Sequence, residues 1–161
     1  MNIDTKQRSI TLVLLHAFLA IGAVGGGLLF IVDPSGGLMG LPLTLLESSP
    51  FTNYMVPGVI LLVALGILPA ATAAALVKQW RWDFAQSVNL FKDRHWSWTF
   101  SLYIGFILII WIVGQVAMIR ELSVLQLIYI ILGLIIQIVT LLPSIQHKYS
   151  RSLTRPEWEE A

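Results

Sequence analysis

The sequence contains no cysteine, so disulfide bonds, cysteine-ligated metal centres and thiol redox chemistry are excluded. Histidine is scarce as well, and His16 and His95 are predicted at different depths, so they cannot ligate a haem between them. No group of potential ligands has the spacing of a known metal site. We therefore predict no metal, no cofactor and no catalytic residue from a motif.

Charged residues are few: they make up 12% of the 161 residues, and the formal net charge is +1. This balance excludes a strongly basic face, so nucleic acid is not an expected partner. Hydrophobic residues make up 57% of the chain, and the mean hydropathy is +0.79. A soluble domain could not hide so much apolar surface, so we predict an integral membrane protein with a single domain.

Four apolar stretches, each about as long as a bilayer is thick, account for this composition. The first is too long for the apolar core of a signal peptide and has no clear small-x-small cleavage site before Asp33, so we expect it to be retained. The sequence thus predicts an all-α, polytopic membrane protein, an antiparallel bundle of four transmembrane helices. The predicted spans are about 10–32, 56–77, 99–119 and 124–142.

Basic residues lie almost entirely on one side of this bundle, and Arg120 is the exception. The positive-inside rule assigns that side to the cytoplasm, so both termini are predicted to be cytoplasmic, in a cell (plasma) membrane. Tryptophans gather on the same side, where their rings prefer the level of the lipid headgroups. The basic residues are Lys6, Arg8, Lys78, Arg81, Lys92, Arg94, Lys148, Arg151 and Arg155, and the tryptophans are Trp80, Trp82, Trp96, Trp98 and Trp158.

Two connections carry apolar residues. Leu38–Leu46 is too short to cross the membrane, so it either caps the outer end of the bundle or is a plain loop. On the cytoplasmic side, about 78–95 is predicted to be a helix on the inner leaflet, and a loop with no lipid preference is the alternative. Residues 144–161 are predicted to be a cytoplasmic tail. The apolar stripe of the interfacial helix would consist of Trp80, Phe84, Val88 and Phe91.

Small and polar residues predict how the spans pack. Gly22 and Gly26 form a small-xxx-small pair, which favours close helix contact within or between chains. Pro69 lies inside the second span and removes a backbone hydrogen bond, so a kink is expected just before it. Ser123 and Gln126 have the spacing of a capping box at the start of the fourth span.

Each span carries one polar residue at a similar depth, on the cytoplasmic side of the bilayer centre. In hydrocarbon such groups are expected to face one another. The layer has two interpretations, hydrogen bonds that fix helix register or the polar floor of a ligand pocket with His16 as a proton acceptor. Its members are His16, Thr72, Tyr103 and Gln137.

A second polar group is predicted at the outer end, where carboxylates and one arginine approach the same level. It could bind a cation or a polar headgroup, although charges in a loop are usually only solvated. The members of this outer cluster are Asp33, Glu47, Gln115, Arg120, Glu121 and Gln126.

Several short motifs resemble those of a group of uncharacterised small bacterial membrane proteins with four helices. The resemblance covers most of the chain and implies a bacterial cell membrane, but no mechanism and no functional residue. The motifs are Asp33-Pro34-Ser35-Gly36, Gly40-Leu41-Pro42, Ser49-Pro50-Phe51, Pro57-Gly58, Trp111-Ile112-Val113-Gly114-Gln115, Leu125-Gln126 and Leu141-Leu142-Pro143.

Three function classes follow from these features. The leading hypothesis is non-enzymatic binding of an apolar or lipid-like molecule, or of a membrane partner or second copy, beneath the Leu38–Leu46 cap. The second is an enzyme acting on a lipid at the outer interface, with Asp33 or Glu47 as acid or base and Arg120 on a phosphate. The third is a small transporter subunit, and an ion channel is least favoured because the spans carry no charged residue. Membrane lipids are expected partners in each case.

Overall fold

The computed structural model describes residues 8–150. Four of its helices are long and apolar enough to cross a membrane, which confirms the all-α four-helix architecture of a multi-pass membrane protein. These are α1 (Ile10–Val32), α2 (Met55–Lys78), α4 (Trp96–Ile119) and α5 (Val124–Leu141). Two short helices, α3 (Asp83–Ser87) and α6 (Pro143–Lys148), and two 3₁₀ turns, Gly37–Met39 and Leu43–Leu46, complete the described part.

The bundle has two different ends. We call the end with residues 8–9, 79–95 and 142–150 the basic end, because it carries most of the Lys and Arg side chains. We call the other end the capped end. It consists of the hairpin 120–123 and of residues 33–54, which we call the cap.

Local capping sets where the helices begin. The Ser9 hydroxyl accepts a hydrogen bond from the Leu12 N–H at the start of α1. At α5 the capping box is confirmed, since Ser123 accepts from the Gln126 N–H and Gln126 accepts from the Ser123 N–H. Helix α4 begins three residues before the predicted span because the His95 ring accepts a hydrogen bond from the Ser97 N–H.

The middle of α2 is wider than an α-helix. Residues Leu61–Ile67 form a π-helical segment, in which the Leu68 N–H donates to the Val63 carbonyl. It lies directly before Pro69, which has no N–H to offer the carbonyl four residues earlier. A π-helical segment therefore stands where the sequence predicts a kink.

The helix predicted over the interfacial segment 78–95 is shorter than expected. Only Asp83–Ser87 is helical, since the Asn89 side chain accepts from the Phe91 N–H and donates to the Arg94 carbonyl, which builds a turn. Trp80 lies outside this helix and packs on Trp96, with ring centroids 5.8 Å apart. The predicted stripe is thus divided between the bundle and the surface.

The first two tryptophans of α4 are also placed differently from the prediction. Trp96 and Trp98 are 1% and 2% exposed, so they pack inside the basic end and do not lie among headgroups. The Trp98 indole N–H donates to the Thr140 carbonyl at 2.8 Å. Burying their aromatic surface in the core of this end is more favourable than exposing it at the lipid interface.

Candidate functional site

The four long helices form two hairpins, α1–α2 and α4–α5. In each hairpin the two helices approach each other closely at a pair of glycines. In the α1–α2 hairpin, a Cβ placed on Gly27 would lie 2.9 Å from the Gly58 carbonyl oxygen. In the α4–α5 hairpin, a Cβ on Gly133 would lie 3.2 Å from the Gly105 carbonyl oxygen. Both backbones approach too closely for a side chain, which is how small residues hold membrane helices together.

The two hairpins are joined at the basic end. Leu12, Leu76 and Trp98 share a buried cluster with Tyr149 from the end of α6. The Tyr149 hydroxyl accepts from the Ser9 N–H at 3.1 Å and donates to the Leu76 carbonyl at 3.3 Å. Burial raises the pKa of Tyr149, so its hydroxyl stays protonated and able to donate. One side chain therefore ties three segments of the chain.

Towards the capped end the hairpins separate around a cavity of about 780 Å³. Helix α4 packs on α2 along the Leu61–Ile67 segment and beyond it towards the basic end, whereas the Met55–Ile60 turns pack mainly on α1. The cap covers the cavity from above, and its Leu43–Leu46 turn reaches across to α4. Buried apolar residues of all four long helices close the bottom, among them Leu19, Leu65, Leu108 and Leu132.

Wall residues of the cavity are exposed beside the seam between α1 and α5. Gly22 marks the lower limit of this seam, since a Cβ there would lie 2.6 Å from the Tyr129 hydroxyl oxygen. One turn further on, a Cβ on Gly25 would meet no atom within 4 Å. Ile21 and Leu125 belong to the walls and are nevertheless 75% and 61% exposed. The exposed part of the walls thus faces the region that lipid chains occupy around a membrane-spanning bundle.

The walls are mostly apolar and contain three neutral hydrogen-bonding side chains without a partner in the described chain. The Trp111 indole N–H is buried and has no acceptor. The Gln115 amide and the Tyr129 hydroxyl also line the cavity and form no hydrogen bond to another described residue. An apolar pocket with a few polar groups is the usual composition of a small-molecule site.

The cap is fixed by two residues at its ends. The Asp33 carboxylate accepts hydrogen bonds from the Ser35 hydroxyl and from the backbone N–H groups of Ser35 and Leu38. The Ser35 hydroxyl and these N–H groups lower the pKa of Asp33. Tyr54 stacks on Phe30 with ring centroids 4.9 Å apart, and its hydroxyl donates to the Pro42 carbonyl at 3.0 Å. The apolar segment is therefore a folded lid.

The outer cluster is brought together only in part. Gln115, Glu121 and Gln126 all line the cavity, but the Gln126 amide oxygen is engaged in its capping box. The Asp33 carboxylate is hydrogen-bonded within the cap, and the Glu47 side chain is exposed. Arg120 is exposed outside the walls, and no ion pair involves it in residues 8–150. Among the described residues, this arginine is therefore not paired with a carboxylate of the outer cluster.

Of the four residues of the inner layer, His16 lies on α1 and Thr72 lies on α2. His16 and Thr72 are both 0% exposed. The antiparallel register that puts Leu12 with Leu76, and Val24 against Gly66, places His16 opposite Thr72. His16 Nδ1 lies 2.8 Å from the Leu12 carbonyl oxygen, whereas His16 Nε2 and the Thr72 hydroxyl have no partner among the residues described.

On the other two helices, the predicted residues Tyr103 and Gln137 have different surroundings. Tyr103 turns to the loop at the basic end, where its hydroxyl donates to the Val88 carbonyl at 3.2 Å. Gln137 packs against Gly105, and its amide nitrogen is buried without a partner. Ser101 on α4 and Thr140 on α5 are also fully buried, and their hydroxyl oxygens lie 3.0 Å apart. Depth alone selected Tyr103 and missed Ser101, because residues two apart on a helix lie at similar depth but point in nearly opposite directions.

Among the described residues, no group of three or more His, Asp or Glu side chains is arranged to hold a metal ion. Comparison of the chain with protein-family models, with curated proteins and with solved structures finds no match. The cavity and its surroundings are therefore interpreted from their own geometry.

Proposed function

We propose that this protein binds an apolar or lipid-like molecule in the cavity beneath the cap, without catalysing a reaction on it. The observation that carries the proposal is the apolar cavity of about 780 Å³ between the hairpins, with exposed wall residues beside the α1–α5 seam. Protein interiors are close-packed, and their ordinary voids hold at most a few waters. A space of this size falls within the range of about 300–1,000 Å³ that is usual for ligand sites.

The distribution of tight and loose packing supports the proposal. The glycine pairs and the Tyr149 hydrogen bonds hold the hairpins and the basic end together without help from a ligand. At the capped end, Gly25 makes no comparable contact across the seam between α1 and α5, since a Cβ placed on it would meet no atom within 4 Å. The fold therefore stabilises an opening at bilayer depth, through which an apolar molecule can enter from the membrane without crossing water.

For localisation, we propose the plasma membrane of a bacterium, with the basic end in the cytoplasm. The positive-inside rule supports this orientation, since the described Lys and Arg residues other than Arg120 lie at or beside the basic end. The cap and the cavity mouth would then lie on the outer side of the membrane. The alternative enzymatic role has less support, because Asp33, Glu47 and Arg120 do not converge on the cavity.

The binding proposal is tested by native mass spectrometry of protein released from nanodiscs. Wild type is expected to retain an apolar or lipid mass. Gly25→Trp fills the open side of the cavity at a position with free space, so we expect it to reduce the retained ligand at least tenfold while the protein still folds. Ala117→Trp, at an exposed site on α4 outside the walls, is the matched control and is expected to retain the ligand.

Wild type that emerges as a clean monomer, or as a ligand-free oligomer, would overturn the ligand proposal and favour a second copy or another membrane protein as the occupant of the seam. Equal retention by the wild type and Gly25→Trp would place the bound mass outside the cavity.

A further inference from the structure

The walls of the cavity carry very little charge, and what they carry is acidic. Glu121 is the one formally charged side chain among the described residues that line the cavity. Arg120 is next to it in sequence but lies outside the walls. The described residues of the capped end contain three carboxylates, those of Asp33, Glu47 and Glu121, and a single arginine, Arg120. None of the described residues that line the cavity is a lysine or an arginine.

Polarity also changes with depth along the cavity. The floor is formed by buried apolar residues such as Leu19, Ala23 and Leu65. The polar wall residues Gln115, Glu121 and Ser123 lie at the end of α4 and in the hairpin that follows it. An amphiphile in this gradient has its tail on the floor and its headgroup at the hairpin. The reverse orientation would bury a polar headgroup without partners.

Apart from Glu121, the hydrogen-bonding side chains of the walls are neutral. At the headgroup level Gln115 can donate and accept, and deeper in the cavity, at the lower limit of the seam, Tyr129 has an unoccupied hydroxyl. These groups suit hydroxyl, carbonyl and ether oxygens. An anionic headgroup would lose its hydration and meet Glu121 with no cation to pair with it.

Building on the binding function proposed above, we propose that the ligand is an amphiphile with an uncharged, oxygen-containing headgroup and that the site discriminates against anionic headgroups. The tail lies on the apolar floor beneath the cap, and the headgroup lies at the mouth beside Gln115 and Glu121. Discrimination comes from the acidic mouth and from the absence of Lys and Arg in the described walls.

The test uses two probes that differ only by a phosphate: 1-oleoylglycerol and 1-oleoylglycerol 3-phosphate. Equimolar amounts are added to delipidated protein in a neutral detergent, and the bound masses are counted by native mass spectrometry at low ionic strength. We expect the neutral probe to be retained at least tenfold more than the phosphate. Gly25→Trp is expected to lose both, which assigns them to the cavity.

Charge reversal at the mouth supplies the matched comparison. Glu121→Arg puts a cation in the wall and is expected to reduce the preference for the neutral probe at least threefold, and added salt is expected to weaken this effect. Glu47→Arg makes the same change at an exposed cap position outside the walls, and we expect the wild-type preference.

The outcomes separate this inference from the function on which it rests. Retention of neither probe would overturn the binding proposal itself. Retention of both probes to the same extent, in wild type and Glu121→Arg alike, would leave the cavity as a binding site and overturn the headgroup selectivity. Preferential retention of the phosphate by the wild type would also overturn it.

Discussion

Two glycines in the cap have left-handed backbone conformations, but only one of them is crowded. Gly36 has φ of 79°, and a Cβ on it would overlap the Leu41 carbonyl oxygen and the Tyr54 ring. Gly40 has φ of 65°, and a Cβ on it would meet no atom within 4 Å. Backbone strain and steric overlap can therefore be measured separately in the same segment.

We predict that Gly40→Ala costs about 1 kcal/mol of stability, the usual penalty of a left-handed Ala. Gly36→Ala is expected to cost about 1–3 kcal/mol more, because the new methyl must displace Leu41 or Tyr54. Thermal unfolding of the purified variants in detergent measures the difference. Equal losses would show that the lid is not packed around Gly36 as described.

Asp33 makes the stability of the cap depend on pH. Its pKa is lowered in the folded protein, chiefly by the Ser35 hydroxyl, so the carboxylate stabilises the cap above its ordinary pKa of 3.8. This contribution is lost as the pH falls through the lower, folded pKa. Asp33→Asn does not titrate, so we expect the difference in melting temperature between wild type and variant to shrink as the pH is lowered below about 4. A difference that stays constant from pH 6 to pH 2.5 would contradict the role assigned to the carboxylate.

At the scale of helices, the sequence patterns predicted the features that depend on residues close together in the chain, such as helix bounds and caps. The bounds of α1 agree with its apolar stretch, and the capping box of Ser123 and Gln126 is present. The loop before α4 was predicted incorrectly because its aromatic residues had two possible environments, the lipid interface and the bundle. Trp96 and Trp98 became buried through contacts with distant parts of the chain, which no local pattern encodes.

The glycines of α1 provide the element-scale prediction. A methyl on Gly27 would press on the Gly58 carbonyl and on Leu62, so Gly27→Ala is expected to destabilise the protein by about 1–3 kcal/mol. Gly25→Ala meets free space and is expected to be neutral or to stabilise α1 by up to about 1 kcal/mol. Thermal unfolding of both variants is the measurement. If Gly27→Ala were as stable as Gly25→Ala, the α1–α2 crossing would not be as close as described.

At the scale of the whole molecule, the cavity is a property that the sequence only outlined. The apolar cap, the expected kink and the polar layers suggested a site beneath Leu38–Leu46, and three residues of the predicted outer cluster do line the cavity. The divergence of the hairpins could not be predicted, because it follows from ties at one end, such as Tyr149 to Ser9 and Leu76, and their absence at the other. Such contacts join residues that are more than seventy positions apart.

Orientation in the membrane decides which compartment the cavity mouth faces, and the absence of cysteine makes it directly measurable. Ser48 in the cap and Ser87 at the basic end are both exposed, so Ser48→Cys and Ser87→Cys are matched single-cysteine variants. In intact cells we expect a membrane-impermeant maleimide to label Ser48→Cys and to label Ser87→Cys only after permeabilisation. The reverse pattern would put the cap in the cytoplasm and overturn the proposed orientation. The ligand would then enter from the inner leaflet, although the geometry of the α1–α5 seam would be unchanged.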